Sequence, residues 1–261
     1  MSIITLTSDL GTDSPYVAAM KGVILSINPA VTLVDITHAI PAQDVGHGAL
    51  VLEDTTPWFP DDTIHVAVVD PGVGTQRSIL YARIGRQQYV APDNGLLGRL
   101  LTRTPSKQVR RLTNAEHWLK SVSATFHGRD VMAPVAARLS LGLDPAKLGP
   151  ITGQLTCPTW PEAQVVDETI RGQIIEIDSF GNLITNIMAD MLAGRPTDSR
   201  LCVVCGIYET WGIYQTYGEQ AEGMLLALVG SGGRVELAVV GDNAAARLGV
   251  FVGTPVVIAW E

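Results

Sequence analysis

The sequence lacks the features that membrane-spanning, nucleic-acid-binding and secreted proteins depend on. Its mean hydropathy is +0.23, but no apolar run approaches the roughly 18 residues that a membrane helix needs, so no membrane segment is predicted. There are 18 lysines and arginines against 26 acidic residues, a formal net charge of −8, and no basic cluster, so nucleic acid is not a predicted partner. The opening MSIITLTSDLG has neither a basic stretch nor a cleavage site, and we therefore expect a cytoplasmic protein.

Cysteine is scarce, and the three cysteines do not form a convincing redox or metal motif. An odd number does not suggest a disulfide framework. Cys202 and Cys205 are spaced as a CxxC pair, but they lie in a β-like apolar stretch, whereas a redox pair needs a helix N-terminus to lower the thiol pKa. Side chains three residues apart point to opposite faces of a strand, and no second ligand pair lies nearby. The interpretation we favour is two buried thiols.

Motifs for the common cofactor classes are also missing. Gly72 and Gly74 begin a dinucleotide-binding pattern, but Arg77 stands where its third glycine would be. The sequence contains no Walker A motif and no HExxH zinc motif. We therefore predict no metal ion and no cofactor, and a substrate is the only small molecule expected to bind.

The first half of the chain does show a regular alternation of strand and helix patterns. The 261 residues, 46% of them hydrophobic, are enough for one large domain or two modest ones. Alternating β and α segments favour a layered α/β domain with a mostly parallel sheet. The predicted strands are 2–8, 31–36, 63–69, 78–83 and 87–91, and the predicted helices are 15–27, 44–52, 94–103 and 130–141.

The sequence pattern changes after residue 149. Three prolines interrupt a polar, irregular stretch after residue 149. We predict an α/β domain at 1–150, a linker at 151–168 and a smaller C-terminal β-barrel domain at 169–261. Short strands separated by glycine-rich turns are typical of such a barrel. They are predicted at 172–177, 201–207, 224–229, 234–240 and 255–260.

Two of the predicted strands end in aspartates that can do chemistry. Asp9 closes the first strand, and Asp70 closes the strand at 63–69. In open α/β sheets ligands bind outside the carboxyl ends of the strands, where a carboxylate can hold sugar hydroxyls, orient a base or bind a metal. A turn or helix-cap aspartate is also common at such positions, and the pattern alone leaves both readings open.

Two polar loops add further candidates. His127 lies in the loop TFHGRD before a predicted helix, whereas His65 lies inside a predicted strand and is expected to be structural. The turn DSFGN, at residues 178–182, combines polar and aromatic groups, and the amide of Asn182 can read the edge of a base.

Together these segments resemble the S-adenosylmethionine hydroxide adenosyltransferase family, whose relatives include fluorinases and chlorinases. The matching motifs occur in the right order over nearly the whole chain. They are Ser8-Asp9-Leu10-Gly11, Asp70-Pro71-Gly72-Val73-Gly74 with Arg77, Ala91-Pro92-Asp93-Asn94-Gly95, Phe126-His127-Gly128-Arg129-Asp130, and Phe180-Gly181-Asn182 with Thr185-Asn186. The resemblance implies an N-terminal α/β domain, a C-terminal β-barrel domain, and a homotrimer with active sites between neighbouring subunits.

The resemblance also implies a reaction and a role for each matching residue. S-adenosylmethionine is the implied substrate, and water or hydroxide attacks its C5′ to give adenosine and methionine. The implied catalytic set is Asp70, Arg77 and His127, and Asp9 matches the position that holds the ribose hydroxyls. The residues expected near adenine or methionine are Asp178, Phe180, Asn182, Ser231 and Glu236.

These residue types suit a displacement that uses no metal. The sulfonium makes methionine a good leaving group, so the protein needs mainly to supply an oriented nucleophile. Arg77 is permanently charged and can favour hydroxide, His127 can carry the proton away, and Asp70 can orient either of them.

Two alternatives remain open. A chlorinase or fluorinase would deliver halide to the same carbon, but those relatives carry an insertion between the strands predicted here at 78–83 and 87–91, and they lack the Asp and His of the catalytic set. A non-catalytic protein that binds S-adenosylmethionine or adenosine would keep Asp9 and Asn182 and would not need the catalytic set.

Overall fold

The computed structural model describes residues 2–104 and 107–261, and the chain divides between Pro158 and Thr159 into two compact units. The first unit is a layered α/β domain, and the second is a nearly closed barrel of antiparallel strands. Both parts of the predicted fold class are confirmed. The stretch 151–168, predicted as a linker, is divided between the two units, and its last part contains a strand.

The sheet of the first unit is parallel in its first four positions. Its strand order is β2-β1-β3-β5-β4-β6. Strands β2, β1, β3 and β5 run parallel, and β4 pairs antiparallel with both β5 and β6. The elements are β1 (Ile3–Ser8), α1 (Pro15–Ile27), β2 (Thr32–Thr37), α2 (Val45–Thr55), β3 (Ile64–Val68), β4 (Ile79–Ile84), β5 (Gln87–Pro92), α3 (Gly98–Arg103), β6 (Lys107–Arg111) and α4 (Ala133–Ser140).

Alternating side chains on the buried strands build a core on each face of this sheet. On one face, Ile4 and Leu6 of β1 pack with α1 and α4. On the other face, Ala67 and Val69 pack with Leu52 of α2 and with α3. Because helices cover both faces, the strands read as continuous apolar runs, and polar residues emerge where the strands end.

The helices are short, and two of the predicted helices differ from the sequence pattern in how they begin. α3 begins at Gly98 rather than at residue 94, because turns precede it and Gly95 takes a φ of +102°. The helix predicted from residue 130 opens with a π-helical turn, Gly128–Met132, that runs into α4. The longest helix, α1, has 13 residues. Within the described part of the chain, no helix combines the length and the apolar character that crossing a membrane requires.

The second unit is a single curved sheet whose two edge strands meet. Its strand order is β11-β10-β14-β8-β9-β13-β12, with β7 beside β8. The N–H of Tyr214 donates to the carbonyl of Ala227 at 2.8 Å, and the Thr210 hydroxyl donates to the carbonyl of Leu225 at 3.0 Å, which joins β11 to β12. The elements are β7 (Gln164–Val166), β8 (Thr169–Ile177), β9 (Leu183–Met188), β10 (Leu201–Cys205), β11 (Tyr208–Trp211), β12 (Leu225–Val229), β13 (Arg234–Val239), α5 (Ala244–Leu248) and β14 (Pro255–Trp260).

The two cysteines of the CxxC pair lie on opposite faces of β10. Cys205 is buried in the barrel core, and Cys202 is only partly buried, so the expectation of two buried thiols is met fully by one of them. Burial raises the pKa of Cys205 to about 11, so this thiol stays protonated near neutral pH. A protonated core thiol is a packing group rather than a redox nucleophile.

Candidate active site

The carboxyl ends of β1 and β3 lie side by side. Ser8 pairs in register with Val68, and the N–H of Asp9 donates to the carbonyl of Val68 at 3.4 Å. Asp9 follows β1 directly, and Asp70 lies two residues beyond the end of β3. Parallel pairing therefore brings both aspartates to the edge of the sheet where α/β proteins bind ligands.

Asp70 and Arg77 form a forked ion pair. Arg77 Nε donates to Asp70 Oδ1 at 2.8 Å, and Arg77 Nη2 donates to Oδ2. The side chains of Arg77 and Asp70 are 10% and 5% exposed. A forked guanidinium–carboxylate contact fixes direction as well as distance, so Asp70 sets the orientation of Arg77.

His127 joins this cluster through Arg77. Arg77 Nη2 lies 3.0 Å from His127 Nδ1. A guanidinium only donates, so Nδ1 accepts, and the neutral ring carries its proton on Nε2. Burial, followed by the charge of Arg77, lowers the pKa of His127, which favours this neutral form.

Two glycines let the loops that carry Arg77 and His127 approach each other and the sheet. Gly74 has a φ of +78°, and a Cβ there would lie 2.3 Å from the carbonyl oxygen of Ala124. A Cβ on Gly128 would lie 3.1 Å from Cγ1 of Val68. Only glycine satisfies both the left-handed backbone and the close contact at position 74.

Asp130 anchors the segment that carries His127. Its buried carboxylate accepts from the N–H of Ser123 at 2.8 Å and from Arg129 Nε and Nη2 at 2.6 and 3.0 Å. Burial acts to raise the pKa of Asp130, but these hydrogen bonds outweigh it and lower the pKa. The π-helical turn in this segment is of a kind that is frequent at functional sites.

The Asp9 carboxylate is held by the backbone of a different loop. Its Oδ2 accepts from the N–H of Gln43 at 2.9 Å. Gln43 has a φ of +67°, a left-handed conformation that is uncommon for a residue with a side chain. Backbone outliers of this kind cluster at ligand sites, and this one aims an N–H at a strand-end carboxylate.

In the second unit, Asp178 and Asn182 close a tight turn after β8. Asp178 Oδ1 accepts from the N–H groups of Phe180 and Asn182 at 2.9 and 2.8 Å, and Oδ2 accepts from the Asn182 amide at 3.0 Å. The turn leaves the Phe180 ring 76% exposed, where a ligand can stack on it.

Glu236 is a buried carboxyl on β13. Tyr217 donates its hydroxyl to Glu236 Oε1, and a Cβ on Gly230 would lie 2.1 Å from Oε2. Burial raises the pKa of Glu236, the hydrogen bond from Tyr217 opposes that rise, and the charge of Asp178 adds to it. Ser231 is exposed in the turn between β12 and β13, next to Gly230.

The structure thus groups the predicted site residues within each unit. Asp70, Arg77 and His127 form one hydrogen-bonded cluster in the first unit, with Asp9 at the adjoining strand end. Tyr217 was not predicted, because a tyrosine in an irregular loop belongs to no periodic pattern. Across residues 2–104 and 107–261 there is no group of three or more His, Cys, Asp or Glu side chains able to hold a metal ion.

The chain matches models of both domains of one known family. The SAM hydroxide adenosyltransferase N-terminal domain matches residues 4–149, and the C-terminal domain matches residues 172–257. The chain belongs to this family. It is 37% identical to a Thermus thermophilus protein named (R)-S-adenosyl-L-methionine hydrolase, over 98% of this chain and 99% of the relative. A solved structure of an uncharacterised conserved protein from Thermotoga maritima has a TM-score of 0.92 at 34% identity and covers 98% of this chain and 99% of that one.

Halogenating relatives are more distant. A fluorinase from an Actinoplanes species is 30% identical over 71% of this chain and 71% of its own length. Only Gly85 and Arg86 join β4 to β5 here, so this turn lacks the insertion expected of those relatives.

Proposed function

We propose that this chain hydrolyses S-adenosylmethionine to adenosine and methionine. The oxygen of water or hydroxide forms a bond to C5′ as the C5′–sulfur bond breaks, the sulfur keeps the electron pair, and methionine leaves as a neutral thioether. Attack by water also releases one proton to the solvent, whereas attack by hydroxide releases none. The observation that carries the proposal is the hydrogen-bonded cluster of Asp70, Arg77 and His127 at the carboxyl edge of the first sheet.

Arg77 is the proposed stabiliser of the nucleophile. Its guanidinium is a cation that only donates hydrogen bonds, and burial shields its charge from water. A fixed cation in such a setting stabilises hydroxide far more than it would in bulk water. Asp70 is proposed to hold the guanidinium in place, so that little reorganisation is needed when the oxygen attacks.

His127 is proposed to orient the water through its Nε2–H. The sequence led us to expect that this imidazole carries the proton away. With Nδ1 engaged by Arg77, the ring can accept a proton only when that hydrogen bond breaks. The geometry therefore supports a donor role toward the oxygen of the nucleophile.

The remaining predicted residues are proposed to bind the substrate. Asp9 would accept hydrogen bonds from the two ribose hydroxyls, which suits a carboxylate with two oxygens. The turn at residues 178–182, together with Ser231 and Glu236, would contact adenine and methionine. No metal or redox cofactor is needed in this scheme, because the sulfonium already activates the carbon; activity that survives a chelator would agree with it.

The substrate is proposed to be one sulfonium epimer. The sulfur of S-adenosylmethionine is a stereocentre, and the Thermus thermophilus relative carries the (R) label in its name. We propose that this chain also acts on the (R) form. Incubation with each separated epimer, followed by chromatography for adenosine, tests this, and faster turnover of the (S) epimer would reject it.

The nucleophile is tested with water labelled with a heavy oxygen isotope. We expect the label at the 5′-oxygen of adenosine, and large losses of turnover in Asp70→Ala, Arg77→Ala and His127→Ala. Arg83→Ala is the matched control, since it breaks an exposed Arg–Asp pair with Asp62 on the same sheet. Formation of 5′-chloro-5′-deoxyadenosine in chloride buffer without labelled adenosine would favour a halogenase, and binding without turnover would favour a binding protein.

The family resemblance supports a proposal about assembly: we propose a homotrimer with active sites at subunit interfaces. A cytoplasmic location and the absence of a nucleic-acid partner are proposed from the sequence alone. Light scattering at the assay concentration tests the assembly, and a fully active monomer would reject it.

A further inference from the structure

A chain of polar contacts runs beneath the turn that follows β1. Lys21 Nζ donates to Asp35 Oδ2 at 2.5 Å, and Asp35 Oδ1 lies 3.1 Å from His38 Nε2. His38 Nδ1 lies 2.7 Å from the hydroxyl of Ser8, which also accepts from the N–H of Leu10 at 3.3 Å. The chain therefore links a surface lysine to the backbone at the strand end.

Donors and acceptors along this chain fit one arrangement of the neutral imidazole. The N–H of Leu10 only donates, so the Ser8 oxygen accepts it and the hydroxyl proton is free for His38 Nδ1. The ring proton then sits on Nε2, facing a carboxylate that only accepts. Burial acts to raise the pKa of Asp35, but the neighbouring Lys21 and His38 outweigh it and lower the pKa.

Ser8, His38 and Asp35 carry the same groups as the triad of a serine hydrolase, but burial rules out that role. Ser8 is 2% exposed and His38 is 7% exposed. A nucleophile has to reach its substrate, and the Ser8 oxygen is enclosed and bonded on two sides. The arrangement is suited to holding backbone in place.

The backbone that it holds is the Asp9 turn. Besides the bond from Leu10 to Ser8, the N–H of Gly11 donates to the carbonyl of His38 at 2.9 Å. His38 therefore contacts Ser8, just before Asp9, and Gly11, two residues after it, while the N–H of Gln43 binds the Asp9 carboxylate itself. Binding groups must be held within a fraction of an ångström to be effective, and this turn is held at three points.

We propose that His38 is a positioning residue for Asp9: acting through Ser8, it aims the Asp9 carboxylate at the ribose hydroxyls. This inference rests on the proposed function, in which Asp9 binds the ribose. Removing the imidazole strands the Ser8 hydroxyl and loosens the turn. Adenosine should then bind about tenfold more weakly, the ratio that corresponds to one lost buried hydrogen bond.

Calorimetric titration with adenosine tests this on the full chain. His38→Ala should raise the dissociation constant about tenfold, and His38→Asn should restore most of the affinity, because its amide can accept from Ser8 and donate toward Asp35. In an Asp9→Ala background His38→Ala should have no further effect, since the imidazole acts through that carboxylate. Ser8→Ala, a smaller change, gives the same test if His38→Ala does not fold.

His65→Asn is the matched control. His65 is also a buried imidazole whose Nδ1 meets a β1 hydroxyl, that of Thr5 at 2.8 Å, but in the interior of the sheet. Both histidine variants should melt earlier, and only the His38 variant should lose adenosine affinity. Unchanged affinity in His38→Ala, or an equal loss in the Asp9→Ala background, would overturn the positioning role alone. A wild-type protein that binds neither adenosine nor S-adenosylmethionine would overturn the proposed function as well.

Discussion

The stability of the first unit should depend on His65 below neutral pH. The imidazole is fully buried, stacks on the Tyr89 ring at a centroid distance of 5.0 Å, and meets the edge of Phe59 at 5.5 Å. Burial lowers the pKa of His65 to about 4 from an ordinary value of 6.5, while the side chain of Gln87 opposes that shift. The sequence-based expectation of a structural histidine at this position agrees with this setting.

The sign and size of the effect follow from the two pKa values. The unfolded chain binds the proton more readily than the folded one, so the contribution is complete above pH 6.5 and is lost as the pH falls toward 4. Linkage gives a loss of about 2 kcal/mol between about pH 7 and pH 5, and about 3 kcal/mol by pH 4.

Urea unfolding of the wild type and of His65→Asn across this pH range measures the effect. Asparagine does not titrate and retains a group that can bind the Thr5 hydroxyl. Other groups titrate equally in both proteins, so the difference in unfolding free energy isolates His65. That difference should shrink by about 2 kcal/mol from pH 7 to pH 5. A difference that stays constant would refute the reasoning.

Three further predictions concern the site. Asp9→Ala should weaken adenosine binding by about 2 kcal/mol, because it strands the ribose hydroxyls; calorimetry measures this, and an unchanged dissociation constant would contradict the role of Asp9. Arg77→Lys should lower kcat about a hundredfold while adenosine affinity stays within about threefold, because an ammonium cannot form the forked ion pair with Asp70. Initial rates of adenosine release measure this, and a loss confined to KM would argue against a role of Arg77 in stabilising the nucleophile. Gly74→Ala should lower the free energy of unfolding by at least about 1–3 kcal/mol, the approximate cost of a left-handed backbone, and the clash with Ala124 should add to that loss. A urea midpoint equal to that of wild type would show that the loop can move.

The first helix and the strands buried on two faces were the most predictable parts of the fold. The helix predicted at 15–27 is α1 with the same bounds, and the strand predicted at 2–8 differs from β1 by one residue. β6 was not predicted, because it carries lysine and arginine and has no alternating apolar positions. β9 was missed because Thr185 stands at one of its inward positions, where its hydroxyl donates to the carbonyl of Val235. Burial of a hydrogen-bonded polar group leaves no apolar signal.

Candidate site residues were predictable where the chain position alone explains them. Asp9 and Asp70 stand at strand ends, which the apolar pattern locates. The contact between Arg77 and His127 is different, because it joins residues 50 apart and depends on the close approach of two loops. The contact of Ser8 with His38 spans 30 residues and likewise has no local signature. Hydrogen-bond partners that meet only through tertiary packing have to be read from coordinates.

The contact between Arg77 and His127 is a hydrogen bond only while His127 Nδ1 carries no proton. An imidazolium carries hydrogen on Nδ1 as well as on Nε2, so in acid two N–H groups would face each other across the 3.0 Å that now holds a hydrogen bond. The imidazolium would also lie beside the charge of Arg77, which the Asp70 carboxylate offsets only in part. Protonation of His127 would therefore break this hydrogen bond, and it would do so below the ordinary pH range of histidine, because burial and the charge of Arg77 lower the pKa of His127.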